Sequence, residues 1–150
     1  MRVIVIVLIT CLFSACATVP MESSSKSKMV KRVNKPALGN AGLYIYRSAP
    51  LTTVLKKEVW VNGQCIGQML PNVFFYKQVE GDKAYRISST EGFSENEIML
   101  ETKAGKNYFI QQYTKLGLDL GDAGLRVIDE DLGRLALAEL EMAKRGQCNE

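Results

Sequence analysis

Between Ala41 and Glu130 the chain alternates short runs of β-branched and aromatic residues with tight polar turns, and this rhythm restricts its possible folds severely. The runs are "AGLYIYR" (41–47), "KEVWVNGQCIGQ" (57–68), "VFFYKQV" (73–79), "AYRISST" (84–90), "NEIMLETK" (96–103), "NYFIQQY" (107–113) and "LRVIDE" (125–130). Turn clusters separate them at Pro71-Asn72, Glu80-Gly81-Asp82, Glu91-Gly92 and Ala104-Gly105-Lys106. Inside the second run, Asn62-Gly63 supplies the two residues that best tolerate the positive φ angles of a two-residue hairpin. Leu43 and Ile45 alternate with Tyr44 and Tyr46, and Val59 shares a face with Val61, the period-two pattern of a strand. Strands recurring every ~8–12 residues between polar turns predict an antiparallel sandwich or barrel.

The period changes at the C-terminus. Leu132, Leu135, Ala136, Leu140 and Ala143 fall on one stripe of a helix. Acidic Asp129, Glu130 and Asp131 precede it and Lys144-Arg145-Gly146 close it, which suits both the helix dipole and its caps. The expected fold is therefore mainly β, an antiparallel β-sandwich-like domain with one C-terminal amphipathic helix lying on the sheet.

Residues 1–15 differ from all of this. Met1 and Arg2 precede an apolar run from Val3 to Phe13, broken at Thr10. The run is too short to span a bilayer, which takes about 20 residues, and fits the h-region of an export signal. Ser14, Ala15 and Cys16 follow, an order similar to the lipobox of bacterial lipoproteins, with Phe13 where Leu is usual. Cleavage before Cys16 would leave a diacylated cysteine, and each buried CH₂ of its chains adds ~0.8 kcal/mol of membrane affinity. Two other readings compete. Ala15-Cys16-Ala17 is also an ordinary A-x-A site that would release a chain beginning at Thr18, and the run could instead be a strand with Cys16 a buried thiol. Ala17, rather than Asp, after the cysteine resembles the outer-membrane default. The expected location is thus the bacterial envelope, as an outer-membrane lipoprotein facing the periplasm.

The formal charge of +3 is unevenly spread. Residues 17–35 carry Lys26, Lys28, Lys31, Arg32 and Lys35 against Glu22 alone, whereas residues 36–150 hold 13 basic and 15 acidic residues. A Ser-rich basic stretch of this kind predicts a flexible tether over residues 16–38, ahead of a single domain at 39–150. Its cations would attract anionic headgroups at about 1 kcal/mol each. A slightly acidic domain argues against a nucleic-acid partner. With Cys16 acylated, Cys65 and Cys148 form an even pair in an oxidising compartment and predict a bridge, two free thiols being the alternative.

"VNGQCIGQ", "VFFYKQVEGDKAYRIS" and "GKNYFIQQY" resemble a family of short bacterial lipoprotein-type domains of unknown function, over about residues 41–148. The arrangement is more loosely similar to small PEGA-type sandwiches, with Glu80-Gly81 where Pro-Gly is usual. Neither resemblance implies an activity, a cofactor or catalytic residues.

The chain holds no histidine, which rules out Ser-His-Asp and Cys-His systems and histidine-bearing zinc sites. Gly63 and Gly67 belong to no phosphate-binding fingerprint. Asp119 and Asp122, in "LGLDLGDAG", supply too few oxygens for a calcium loop. Glu91, Glu95, Glu97 and Glu101 offer acid–base chemistry only where a cleft gathers them. No metal or cofactor is expected. Tyr44, Tyr46, Trp60 and Tyr76, with Phe74, Tyr108 and Tyr113, would form an interaction surface if they shared an open sheet face. These features favour a non-enzymatic envelope lipoprotein that binds the membrane through Cys16 and another envelope component through its domain. The alternatives are a cell-wall or outer-leaflet hydrolase using carboxylates such as Glu95 or Asp119, and a structural or stress-protective lipoprotein.

Overall fold

A computed structural model describes residues 18–48, 56–90, 96–114, 123–146 and 148. Cys16, Glu91, Glu95, Asp119 and Asp122 lie outside these. The elements run α1 (Ser24–Val30), β1 (Asn40–Arg47), β2 (Lys57–Val61), β3 (Gln64–Met69), β4 (Val73–Glu80), β5 (Ala84–Thr90), β6 (Glu97–Glu101), β7 (Asn107–Thr114), β8 (Ala123–Ile128), α2 (Glu130–Ala138) and β9 (Glu141–Met142). Two sheets pack face to face, one of order β8-β7-β1-β4-β9 and the other β3-β2-β5-β6.

Every run expected to be a strand is one. The Asn62-Gly63 turn holds φ at +50° and +73°, and the Asn62 side chain accepts the Arg86 backbone N–H (2.8 Å), fastening the hairpin to β5. The sandwich is not wholly antiparallel, since β1 pairs parallel with β7 and β9 parallel with β4. The chain leaves the first sheet after β1, returns at β4, leaves again through β5 and β6 and returns at β7, so β1 and β7 are joined by a long crossover, as are β4 and β9, and no hairpin forces either pair antiparallel.

Strand β1 is buried on both faces. Its Leu43 and Ile45 join Val59, Val61, Ile66, Phe75, Ile87 and Ile110 between the sheets. Tyr44 and Tyr46 point the other way, into a second core with Phe74, Phe109, Val33, Leu137, Leu140 and Met142. That outer face carries too much aromatic surface to be left in water, and two elements cover it.

The first is the segment expected to be a tether. Val19 packs in the inter-sheet core, Met21 bridges Ala143, and α1 begins at an N-cap Ser23 whose side chain accepts the Lys26 N–H. Ser27 is buried at the joint, donating to Glu141 (2.8 Å) and accepting the Met142 N–H (3.1 Å). Residues 18–38 are therefore part of the domain. Their polar composition misleads because the segment docks by hydrogen bonds and a few apolar side chains, chiefly Val19, Val30 and Val33.

The second cover is α2, which ends earlier and faces differently from the expected helix. Leu132 and Leu135, on the predicted inward stripe, are 61% and 70% exposed. Gly133 and Leu137 face the sheet instead. A Cβ on Gly133 would overlap the Phe109 ring, so the missing side chain lets the helix approach the sheet closely. After Ala138 the chain straightens, burying Leu140 and adding β9 to the sheet edge.

Candidate functional site

The four residues expected to form an interaction surface do not share one. Tyr44 and Tyr46 are 1% and 2% exposed. Tyr44 stacks on Phe109 with centroids 5.0 Å apart and meets Tyr76 at 4.6 Å, and its hydroxyl donates to the Val30 carbonyl (3.3 Å). Burial raises the pKa of Tyr44, Tyr46 and Tyr76, so these phenols stay protonated and act as packing groups. Only Tyr76 reaches the surface here, beside a small cleft of about 190 Å³ lined by Met29, Val30, Asn34, Lys35 and Gln78. Trp60 stands half-buried on β2 in the other sheet, opposite Cys65 and Ser88. A patch therefore does not form, because the outer aromatics are needed to dock the helices. The further aromatics are also engaged within the fold. Phe74 is buried, the Tyr108 hydroxyl accepts the Lys103 N–H (2.9 Å), and Arg126 lies over the Tyr113 ring at 5.0 Å.

Of the glutamates, Glu97 pairs with Arg86 at 3.8 Å on the exposed face of β5 and β6. Glu101 lines a shallow cleft of about 220 Å³ with Asp82, Lys83, Ala84, Thr102 and Lys103. Lys103 approaches Asp82 at 4.0 Å there, and Lys83 hydrogen-bonds Glu80. This is a solvated turn in which Glu80 and Asp82 are paired with lysines. Among the described residues no group of three or more His, Cys, Asp or Glu is placed to hold a metal ion.

The expected bridge is present. Cys65 and Cys148 are bonded, with Cα atoms 6.1 Å apart across a separation of 83 residues. The bridge ties the C-terminal segment to β3, and the Gly146 N–H donates to the Ile66 carbonyl beside it (2.8 Å). It thereby joins the two sheets along the edge where β9 and β3 lie.

One constellation was not singled out from the sequence. Arg47, Lys57, Ser89, Asn96 and Gln112 are all buried, and each continues an inward-facing stripe of the inter-sheet core. Arg47 follows Leu43 and Ile45, Lys57 precedes Val59 and Val61, Ser89 follows Ile87, Gln112 follows Ile110, and Asn96 precedes Ile98. The core thus turns polar at one end, where β1, β5 and β7 finish and β2 and β6 start. The Gln112 amide donates to the Ser89 hydroxyl (2.8 Å), while its carbonyl oxygen has no hydrogen-bond partner among the described residues. Burial lowers the Arg47 pKa, yet a guanidinium keeps its charge. The Gln112–Ser89 hydrogen bond joins β7 of one sheet to β5 of the other across this polar end. The sequence signal was available: a polar residue at inward parity on four strands and just ahead of a fifth.

Together these features define a disulfide-closed β-sandwich whose N-terminal segment and C-terminal helix are built into the domain. The chain belongs to the family described as "Protein of unknown function (DUF2846)", whose model matches residues 37–125. It is also similar to an uncharacterized protein of Haemophilus influenzae, 43% identical over 132 residues that cover 88% of this chain and 78% of the relative.

Proposed function

We propose that this protein is a bacterial envelope lipoprotein, acylated at Cys16, that serves as a non-enzymatic binding module. The observation that carries this reading is the Cys65–Cys148 bridge. Bridges persist in oxidising compartments and are rare in the cytosol, so the pair accords with the export signal read in residues 1–15. The outer membrane, with the domain on its periplasmic side, is the location we assign from Ala17.

Intact mass of the native protein, with and without reductant and alkylation, tests the reading. The expected result is a lipid increment on a chain beginning at Cys16, with two further alkylations only after reduction. A bare chain beginning at Thr18 would replace the anchored protein with a soluble one. Alkylation of Cys65 and Cys148 without reductant would remove the compartment argument.

A further inference from the structure

The fold leaves almost no chain between Cys16 and the folded domain. Val19 is 8% exposed and sits in the inter-sheet core. The Lys144 N–H donates to the Pro20 carbonyl (2.8 Å) and the Glu22 N–H to the Met142 carbonyl (2.9 Å), with Met21 bridged to Ala143 between them. Only Ala17 and Thr18 separate Cys16 from Val19. At no more than ~3.6 Å per residue, those three steps reach about 11 Å. An acyl anchor on Cys16 therefore holds the domain itself at the headgroup layer, with no spacer to let it swing free.

The edge so presented is cationic. Residues 18–22 run antiparallel beside 141–146, which places exposed Lys144 and Arg145 next to Pro20 and Val19. Lys77 lies along the same edge, hydrogen-bonded to Gln64 (2.6 Å). Burial, and then the neighbouring Arg145, lower its pKa. Two basic residues of the N-terminal segment, by contrast, are paired within the domain. Lys26 meets Glu22 at 2.7 Å and Lys31 meets Glu141 at 3.0 Å.

We infer that the sandwich is seated edge-on on the membrane through residues 18–22 and 141–146, with Lys144, Arg145 and Lys77 against the phosphates of anionic phospholipids; the inference rests on acylation of Cys16. The strands then run along the bilayer, and β6 and β8, which form the opposite edge, face away from it.

Two methionines report the orientation. Met21 lies on the seated edge and is 40% exposed, and Met99 lies on β6 and is 65% exposed. The full-length lipidated protein is reconstituted into phosphatidylethanolamine–phosphatidylglycerol vesicles and oxidised with a hydroxyl-radical pulse. It is compared with a variant carrying a Gly/Ser spacer of about 20 residues between Ala17 and Thr18, which gives the domain a reach of roughly 25 Å. Met21 is expected to oxidise several-fold more slowly in the native protein than in the spacer variant, with Met99 equal in both. Equal Met21 rates would overturn the seating. A Lys144→Gln, Arg145→Gln variant without the spacer is expected to lose part of the Met21 protection, and unchanged protection would overturn the phosphate contact. Intact mass taken before the pulse separates the two levels. A chain without lipid on Cys16 removes the anchor itself, whereas a lipidated chain with unprotected Met21 removes only the seating.

Discussion

Ser27 shows how one small hydroxyl attaches an entire segment. It is 1% exposed, donates to Glu141 and accepts from the Met142 N–H, so it links α1 to β9 through both of its hydrogen-bonding roles. Ser27→Ala leaves the Met142 N–H without that acceptor, and a buried group left unpaired costs about 1–3 kcal/mol. Urea denaturation of the variant measures this, and a loss below a few tenths of a kcal/mol would mean water replaces the hydroxyl. Glu141 makes the same joint pH-dependent. Hydrogen bonds from Lys31 and then Ser27 hold its carboxyl below the ordinary value of 4.5. A folded-state pKa depressed below the unfolded one contributes stability above the unfolded value and loses it as pH falls through the folded one. The contribution is modest, because the Glu141 side chain is 60% exposed and solvent screens the pair. Native stability should therefore fall more steeply below about pH 4.5 than that of Glu141→Gln, as read from urea midpoints across that range.

At the scale of elements, the contact of α2 with the five-stranded sheet depends on Gly133. Helix propensity favours Ala over Gly by about 1 kcal/mol at an interior position, so an isolated helix would gain from Gly133→Ala. The structure reverses the sign, because the added methyl would occupy space held by the Phe109 ring. Phe109 is itself stacked on Tyr44 and 1% exposed, so it has little room to yield. Overpacking of this kind costs typically 1–3 kcal/mol, and the variant should melt lower than the parent by calorimetry. A raised melting temperature would show that propensity outweighs packing here. The same contact explains why Leu132 and Leu135 face water: the helix is rotated so that its smallest residue meets the sheet.

For the whole molecule, the governing feature is the closure of one long edge. The N-terminal segment, β9 and the Cys65–Cys148 bridge all lie along it, and together they fasten both chain ends to strands from both sheets. A bridge closing a loop of 83 residues restricts the unfolded chain enough to stabilise the fold by roughly 4–5 kcal/mol on chain-entropy grounds, often less in practice. Reduction, or Cys148→Ser, should shift the urea midpoint downward accordingly. A change under about 1 kcal/mol would indicate that the hydrogen bonds of residues 18–22 and 141–146 already hold this edge without the bridge.

How much of this was legible in the sequence follows from the range of the forces involved. Local ones wrote the strands: period-two alternation, Asn-Gly turn chemistry and β-branched runs located all seven predicted strand regions, and an even pair of cysteines, Cys65 and Cys148, indicated the bridge. The sequence by itself thus determined a mainly β sandwich, its hairpin, its C-terminal helix and its bridge. Tertiary structure decided the rest. Tyr44 and Tyr46 read equally well as an open surface or a second core until their neighbours were in place, because alternation tells which residues share a face but not whether that face is covered. The Ser- and Lys-rich segment read as a tether because composition counts apolar residues, whereas Ser27 and Val33 succeed by landing on partners distant in sequence, Glu141 and the Phe74–Phe109 cluster among them. The polar end of the core was spread over four strands and the residue before a fifth, which only the sandwich brings together. Non-local contact sets which faces are buried, and no local pattern carries that information.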